Sequence, residues 1–291
     1  MNSMTAIIFG ASGQDGYYLN ELLVSLGYKV VKASRHGDAE QCDVSDFTNV
    51  ERLVKQHKPE FLFHLAATSS TRHERLFENH ATIATGTLNI LEAMERHSPN
   101  SKVFITGSGL QFVNNGRPIK EGDEFEARDA YSVSRIQSVY AARYFRRRGI
   151  KAYVGYLFNH ESPKRTENHM TRKVSEAAKR IANGSAEKLE IGDISVVKEY
   201  TYAGDVVKGI WTLVSQDKMM EANIASGKGY SIEDWLRECF SLVGKDWKNH
   251  VVVKKGFVAE YKELVADPSL IFSLGWKPET SFQQLAKMMV S

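Results

Sequence analysis

The sequence predicts an α/β fold: a Rossmann-like, doubly wound parallel sheet with a smaller, discontinuous α/β lobe. Short β-like runs alternate with amphipathic helical patterns along residues 1–160, which is typical of a parallel sheet with helices on both faces. A glycine-rich turn follows the first run. The pattern becomes irregular only after Phe158, where we expect the lobe to begin.

The elements follow from apolar periodicity and from turn residues between the runs. The predicted strands of the first part are Thr5–Gly10, Lys29–Ala33, Phe61–Leu65, Lys102–Thr106 and Ala152–Phe158, and the helices are 14–26, 47–57, 80–97 and 130–148. The later part contains predicted helices near 170–183, 204–215, 231–243 and 280–290, and strands at Lys188–Ile191, Glu221–Ser226 and Val251–Val253. We therefore assign residues 1–158 and 200–226 to the Rossmann domain, and residues 159–199 and 227–291 to the lobe.

Composition places the chain among ordinary globular proteins. With 291 residues, 42% of them hydrophobic and 25% charged, it can bury one large core, or one core with an appended lobe. The net charge of +3 makes no case for nucleic acid. Arg143 and Arg146–Arg148 form a basic cluster, but they end a predicted helix, where cations complement the helix dipole. We expect no nucleic-acid partner.

The cysteines and the amino terminus bear on location. Cys42 and Cys239 lie far apart and match no metal-ligand or redox spacing, which favours a reducing compartment and no metal site. Met1–Thr5 lacks a basic region, and Ala6–Phe9 is too short for a signal or a membrane span. We expect a cytoplasmic protein without a membrane partner.

A glycine-rich turn joins the first strand to the first helix. Glycines at this spacing allow a tight turn, close approach of the backbone to a pyrophosphate, and packing of helix on strand, while the helix amino terminus faces the phosphates. The turn therefore predicts a dinucleotide site. Its expected contacts are Gly10, Ser12, Gly13, Gln14, Asp15 and Gly16.

The residues after the second and third strands refine this site. Ser34 and Arg35 stand where a carboxylate would select NAD, and a guanidinium suits a 2′-phosphate, so we predict NADP(H). Asp43 is expected to accept from the adenine amino group, or else to be a turn or helix-cap aspartate. Leu65 ends the third strand, and Leu65, Ala66 and Ala67 are expected cofactor contacts, since the small alanines let the backbone approach the cofactor.

A polar segment follows the last strand of the first part. The apolar run Ala152–Phe158 ends abruptly in Asn159-His160-Glu161-Ser162-Pro163. Open α/β sheets bind ligands at the carboxyl ends of their strands, so this segment indicates a substrate. The alternative is an ordinary turn, for which Asn, Ser and Pro are also suited.

Candidate redox residues follow the fourth strand and open the next helix. Ser108 comes after the strand, and Tyr131 and Arg135 lie one turn apart on a helix. With the glycine turn, this set resembles the extended short-chain dehydrogenase/reductases, which carry Ser or Thr and a Tyr-x-x-x-Lys motif. The resemblance implies that Tyr131 transfers the proton, that Ser108 orients the substrate oxygen, and that Arg135 replaces the lysine that holds the nicotinamide ribose. Arginine keeps the charge but cannot shuttle a proton.

Within that family the chain resembles the GDP-mannose 4,6-dehydratases and the related GDP-4-keto-6-deoxymannose reductases. The resemblance rests on the Asn159–Pro163 segment, on Thr171-Arg172-Lys173 and on the carboxyl-terminal run Leu274–Pro278. It implies a nucleotide-diphosphate sugar as substrate. The implied contacts are Ser69, Asn159, Lys173, Lys198 and Glu260, with Phe257 where the dehydratases carry a diphosphate-binding arginine.

One departure from the dehydratases affects the expected reaction. Leu110 stands where they carry the glutamate that removes the C5 proton, unless Gln111 marks a shift in register. Leucine has no acid–base chemistry. We therefore predict NADPH-dependent reduction of a GDP-linked 4-keto-6-deoxyhexose. The alternatives are a GDP-mannose 4,6-dehydratase-type lyase, a nucleotide-sugar epimerase, or a redox-inactive nucleotide-binding regulatory protein.

The same resemblance implies a homodimer, with a homotetramer as a larger alternative. Related enzymes pair through the two helices that correspond here to residues 80–97 and 130–148. The predicted packing positions of this four-helix interface are Ala81, Ala84, Ile90, Ala93, Val139 and Ala142.

Overall fold

The computed structural model describes residues 4–37 and 39–291. In chain order, the strands of this part are β1 (Thr5–Phe9), β2 (Lys29–Ser34), β3 (Glu40–Gln41), β4 (Phe61–His64), β5 (Lys102–Ser108), β6 (Lys151–Leu157), β7 (His160–Glu161), β8 (Leu189–Ile191), β9 (Val197–Glu199), β10 (Thr201–Tyr202), β11 (Glu221–Ile224), β12 (Gly229–Ser231), β13 (Val251–Val253) and β14 (Glu263–Leu264). The α-helices are α1 (Gln14–Ser25), α2 (Phe47–His57), α3 (Leu76–Asn79), α4 (Gly86–His97), α5 (Ala130–Arg147), α6 (Met170–Ala182), α7 (Ala203–Val214), α8 (Ile232–Leu242), α9 (Ser269–Ser273) and α10 (Phe282–Val290).

Seven strands form the main sheet in the order β11-β6-β5-β4-β1-β2-β3, and all their pairings are parallel. Chain order reverses between β1 and β4, so loops leave that point in opposite directions and open a crevice at the carboxyl edge. The predicted α/β class is confirmed. The predicted strand Glu221–Ser226 also joins this sheet, as β11 beside β6.

Helices cover both faces of the sheet because its strands are apolar on both sides. Helices α1 and α7 bury residues such as Leu19 and Ile210 against one face. Helices α2, α4 and α5 bury Leu53, Leu91 and Val139 against the other. These two apolar layers hold the strand ends in place and thereby position the groups at the carboxyl edge.

The lobe has an apolar cluster of its own between α6, α8 and α10. Trp235 is fully buried there, stacks on Tyr200 and donates from its indole nitrogen to the carbonyl of Thr171. The short strands β7, β9, β10, β12 and β14 were not predicted, because two or three residues are too few to show a period of two. The domain boundaries drawn from the sequence stay a prediction.

The predicted helix 80–97 is irregular in the structure. Residues His80–Thr85 form a π-helical turn between α3 and α4. The carbonyl oxygen of Ile83 accepts hydrogen bonds from the side-chain hydroxyls of Thr87 and Ser138. Such bulges interrupt the helical hydrogen-bond ladder at one turn, and periodicity alone cannot reveal them.

Arginines of the basic cluster at the end of α5 form ion pairs with carboxylates. Arg143 and Arg146 both bind Glu221 at the start of β11, and Arg148 pairs with Glu95. Although burial alone would raise the pKa of Glu221, hydrogen bonds from Arg143, Tyr156 and Arg146 lower it to about 2. The cluster therefore joins α5 to the sheet, in agreement with the interpretation of these arginines as a helix end.

The predicted dimer positions need correction. Ala84, Ile90, Ala93, Val139 and Ala142 are buried in the chain's own core, because they lie on the helix faces turned toward the sheet. The exposed apolar side chains on the same elements are Phe77, Leu88, Tyr140 and Tyr144. Among the described residues, no helix has the length and apolar character needed to cross a membrane.

Candidate functional site

A cavity of about 350 Å³, here called the main cavity, opens at the carboxyl edge of the sheet beside the β1–β4 crevice. The glycine loop, the ends of β5 and β6, the start of α5 and the segment after β6 all reach it. Its lining side chains carry hydroxyl, imidazole, guanidinium and amide groups. They include Asp15, Ser69, Thr71, Ser108, Leu110, Tyr131, Arg135, Asn159, His160, Arg165, His169 and Leu264.

The space available for a side chain differs among the three glycines of the loop. Gly10 has a φ of +90°, and a Cβ there would lie 2.5 Å from the nitrogen of Ala66. A Cβ at Gly16 would lie 2.5 Å from the carbonyl oxygen of Gly10. These two positions are closed by the protein's own backbone. At Gly13 the nearest atom would be 3.4 Å away, so the space in front of Gly13 is free for a ligand.

The amino end of α1 is suited to an anion. The helix begins at Gln14, and no side chain caps it at Gly13. Free backbone N–H groups and the helix dipole favour a phosphate at such an end. The predicted dinucleotide loop therefore has both the space and the electrostatics for a pyrophosphate.

A smaller cavity of about 180 Å³, here called the β2-end cavity, lies on the other side of the glycine loop. Ser12 lines it and donates to Ser34 Oγ at 2.8 Å, which orders the turn after β2. Arg35 is exposed at its rim, and Leu65, Ala66 and Ala67 form its floor. The end of β2 thus offers open space beside the glycine loop and an exposed guanidinium.

Asp43 lies beside the β2-end cavity and does not line it. Its Oδ1 accepts from the backbone nitrogen of Ser45 at 2.9 Å and from the Ser45 hydroxyl at 2.7 Å. Burial opposes ionisation, but the hydrogen bonds from Ser45 lower the pKa of Asp43. The turn interpretation of Asp43 therefore describes its contacts in this structure.

Ser108 and Tyr131 both face the main cavity. Ser108 ends β5 and is buried, and its Oγ accepts from the backbone nitrogen of Leu110 at 3.2 Å. Tyr131 lies in the first turn of α5, which Asp129 caps by accepting from the nitrogens of Tyr131 and Ser132 at 2.8 Å. Strand end and capped helix start thus fix both hydroxyl-bearing residues on rigid elements.

Arg135 is buried beneath Tyr131. One guanidinium nitrogen donates to the carbonyl oxygen of Thr106 at 2.7 Å, and the guanidinium carbon lies 4.9 Å from the centre of the Tyr131 ring. Its Nε is buried and has no partner among the described residues. Burial, and then the charge of Arg135, lower the pKa of nearby His64 to about 4, so that imidazole is neutral. The hydrogen bond to Thr106 thus fixes the Arg135 guanidinium against β5.

Leu110 separates the main cavity from a side cavity of about 290 Å³, and it lines both. Gln111 is fully buried, and its Oε1 accepts from the nitrogen of Ser108 at 2.9 Å. Because Gln111 does not line the cavity and an amide has no acid–base chemistry, a shift in register does not supply a substitute for the glutamate. Among the described residues, Asp15 is the one carboxylate that lines the main cavity.

The polar segment after β6 has a divided role. Asn159 lines the main cavity, and its buried Oδ1 has no partner among the described residues. His160 and Ser162 bind back to the glycine loop: His160 Nε2 lies 2.9 Å from Asp15 Oδ1, and Ser162 donates to Gln14 Oε1 at 2.7 Å. Asn159 therefore faces the cavity, whereas His160 and Ser162 hold the segment against α1, and the substrate role of the segment stays a prediction.

The structure brings only part of the predicted substrate set into the main cavity. Ser69 and Asn159 line it. Lys173 is exposed on α6 and donates to the carbonyl of Glu190, and Lys198 lies 5.5 Å from the Tyr200 ring, with its pKa lowered by burial. Glu260 lines the side cavity, and its carboxylate accepts from Thr71 Oγ1 at 2.8 Å.

Several residues of the main cavity were not predicted from the sequence, and Arg165 and His169 are the basic ones at the entrance to α6. Arg165 lines the main cavity, with its Nε 3.2 Å from the buried carboxylate of Glu161, and His169 lies at the start of α6. Burial, and then the charge of Arg165, lower the pKa of His169. The basic pair Lys164-Arg165 after the polar segment was a usable signal for Arg165. No pattern in the sequence marks His169.

The parallel sheet, the glycine loop and the Ser108–Tyr131 site define an extended short-chain dehydrogenase/reductase fold. The sequence model of the family described as GDP-mannose 4,6 dehydratase matches residues 7–289. The chain therefore belongs to the GDP-mannose 4,6-dehydratase family, as the sequence resemblance predicted.

Individual relatives agree with this assignment. GDP-mannose 4,6 dehydratase 2 of Arabidopsis thaliana is 31% identical over 98% of this chain and 85% of its own length. Two solved structures share the fold. The UDP-glucose 4-epimerase of Thermotoga maritima with UDP-glucose has a TM-score of 0.87 at 21% identity over 99% of this chain and 97% of that one. RMD from Pseudomonas aeruginosa complexed with NADPH has a TM-score of 0.86 at 20% identity over 99% and 96%.

These comparisons support one part of the predicted activity and not another. They support an enzyme of the nucleotide-sugar dehydratase and epimerase type, since the family and the Arabidopsis relative both carry the dehydratase name. They do not support the preference for reduction over dehydration that was drawn from Leu110.

Proposed function

We propose that this protein uses NADPH to reduce the 4-keto group of a GDP-linked 6-deoxyhexose. The observation that carries the proposal is the combination of Ser108 and Tyr131 in the main cavity with Leu110 at the place of the elimination base. Reduction of a ketone requires one proton donor and no second base. The side chains of the cavity meet that requirement.

The cofactor proposal rests on the two halves of the glycine loop. The uncapped start of α1 and the open space at Gly13 would take the pyrophosphate. Arg35 at the rim of the β2-end cavity would take a 2′-phosphate, which favours NADPH over NADH. When bound, the cofactor supplies the hydride for the reduction.

Ser108 and Tyr131 would act on the oxygen at C4. Ser108 Oγ accepts from Leu110, so its own hydrogen remains to donate to the substrate oxygen. Tyr131 would donate the proton that converts this oxygen to a hydroxyl. Arg135 keeps a positive charge under the Tyr131 ring, but its guanidinium cannot relay a proton to the tyrosine.

Asn159 and Arg165 would hold the nucleotide diphosphate. The amide of Asn159 can donate to a phosphate oxygen, and its unpartnered Oδ1 can accept from a sugar hydroxyl. Arg165 offers a cation to the diphosphate at the cavity wall. The guanine base is proposed from the names of the family and of its Arabidopsis member.

Dehydration of GDP-mannose is the second candidate, and the comparisons favour it. It requires a base that removes the C5 proton. Asp15 is a poor choice for that base because it is paired with His160, which counters the effect of burial and lowers the pKa of Asp15 to about 2. A dehydratase would therefore have to use a group other than the glutamate of its relatives.

Two assays with the purified protein separate the candidates. We expect NADPH to be oxidised with a GDP-4-keto-6-deoxyhexose, and we expect Tyr131→Phe to lower kcat by about 10²- to 10⁴-fold, the range of general acid catalysis. Tyr140→Phe, on the exposed side of the same helix, is the matched control and should retain activity. Formation of a 4-keto-6-deoxy product from GDP-mannose, without NADPH oxidation in the first assay, would replace this proposal by the dehydratase.

A further inference from the structure

The first turn of α1 is joined to the segment after β6 by side chains on both sides. Asp15 binds the imidazole of His160 at 2.9 Å, and Gln14 accepts from the hydroxyl of Ser162 at 2.7 Å. Gln14 also donates to the carbonyl of His160 at 3.4 Å. These residues are far apart in sequence, so the contacts connect the dinucleotide loop directly to the substrate segment.

The contacts of His160 fix its charge. Its Nδ1 lies 2.8 Å from the carbonyl oxygen of Phe158, and its Nε2 lies 2.9 Å from the Asp15 carboxylate. Both partners are acceptors, so both ring nitrogens must carry hydrogen. The ring is therefore an imidazolium that bridges a backbone carbonyl and a carboxylate. It is 8% exposed, so little solvent competes for these bonds.

Asn159 lies between the two anchored residues Phe158 and His160. Its side chain faces the main cavity with an unpartnered, buried Oδ1. Because the His160 ring binds the Phe158 carbonyl on one side and α1 on the other, the backbone on either side of Asn159 is held relative to the glycine loop. A ligand that orders the start of α1 would therefore also order the residue that faces the substrate.

We propose that His160 is a positioning residue that couples cofactor binding to nucleotide-sugar binding through its bridge to Asp15. The inference rests on the proposed function, because it requires both ligands to bind in this cavity. Linkage makes the effect mutual: if NADP⁺ strengthens GDP binding, GDP strengthens NADP⁺ binding by the same factor.

Calorimetric titration with GDP, in the presence and absence of saturating NADP⁺, tests the coupling without any need for turnover. For the wild type we expect NADP⁺ to increase GDP affinity by about fivefold or more, the lower end of ordinary coupling. In His160→Gln the factor should fall to about one, because both amide hydrogens of glutamine sit on a single nitrogen, which cannot take the places of the two ring nitrogens that reach Phe158 and Asp15. If His160 had only a structural role, the variant would bind both ligands more weakly, but NADP⁺ would still increase GDP affinity by the wild-type factor.

Two further variants provide a second test of the coupling and a control. Ser162→Ala removes the bond to Gln14 and keeps the ion pair, so it should lower the coupling factor even if His160→Gln does not fold. His97→Gln breaks a histidine–carboxylate pair of similar geometry, His97 Nε2 to Glu51 Oε1 at 3.0 Å, outside the residues lining the main cavity, and should retain the wild-type factor.

Equal coupling in the wild type, His160→Gln and Ser162→Ala would overturn the inference and leave the proposed function intact. So would a wild-type factor of one. Failure of the wild type to bind GDP in the presence of NADP⁺ would overturn the proposed function, and the inference with it.

Discussion

At the scale of single residues, Arg135 stands where the Tyr-x-x-x-Lys motif that the chain resembles has a lysine. A lysine at that place could reach the ribose and relay a proton, whereas the guanidinium here is committed to the carbonyl of Thr106 and to the face of Tyr131. Arginine keeps the positive charge, but it does not give up a proton at neutral pH. The redox-inactive alternative and the reductase proposal differ in whether this charge alone is sufficient for Tyr131 to act.

Arg135→Lys distinguishes these possibilities at the scale of one residue. We expect kcat of NADPH oxidation to rise, by up to about 10²-fold, because a lysine adds a proton relay to the charge. The measurement is steady-state kinetics at saturating NADPH. Turnover that appears only in the variant would support the redox-inactive alternative, whereas an unchanged or lower kcat in a folded variant would show that the arginine is matched to its site.

At the scale of elements, the rigidity of the site depends on how α5 is attached to the sheet. Asp129 caps the start of α5 near Tyr131, and Arg143 and Arg146 tie its end to Glu221 on β11. Tyr156 adds a hydrogen bond from its hydroxyl to the same carboxylate at 2.5 Å. One mostly buried carboxylate thus joins a helix and two strands.

Glu221→Gln should therefore destabilise the protein through the attachment of α5. Removing one partner of a buried ion pair leaves uncompensated charge, and we expect a loss of about 3 kcal/mol in the free energy of unfolding. Urea denaturation measures it. Glu95→Gln is the matched control, since it breaks the more exposed Arg148–Glu95 pair and should cost less than about 1 kcal/mol. Equal losses in the two variants would contradict the assigned role of Glu221.

At the scale of the whole molecule, the face formed by α3, α4 and α5 presents apolar side chains to solvent. Phe77 is 84% exposed, and Leu88, Tyr140 and Tyr144 are each about half exposed. Five of the six predicted interface positions were wrong, because they are buried inside the chain, and only Ala81 is partly exposed. These helices have one apolar side turned inward and another turned outward. The outward side is the one available to a second copy of the chain.

We expect a homodimer through this face. Light scattering should give twice the 32.8 kDa mass of the chain, or four times that mass for a tetramer, and the double variant Leu88→Arg, Tyr144→Glu should halve the dimer mass. The control Val258→Arg alters an exposed apolar side chain of the lobe and should leave the mass unchanged. A monomeric wild type would contradict the prediction.

Much of the fold was determined by local sequence. Apolar runs, glycine turns and helical periods predicted six of the seven strands of the main sheet, all but the two-residue β3, and most of the helices between them, because each is a short-range pattern. The glycine loop, Ser108 and Tyr131 were also recognisable, since each lies at a fixed place beside a strand or a helix start. The family could be predicted from these motifs and from the Asn159–Pro163 segment.

Only the tertiary structure decided which of these residues share a space. It paired His160 with Asp15, buried Gln111 against Ser108, anchored Arg135 on Thr106, left Lys173 exposed and brought Arg165 into the cavity. Contacts between residues distant in sequence depend on packing and burial, which no local pattern contains. The sequence by itself therefore determined the fold class and the kind of site, and the three-dimensional packing decided which side chains face a ligand and which hold the others in place.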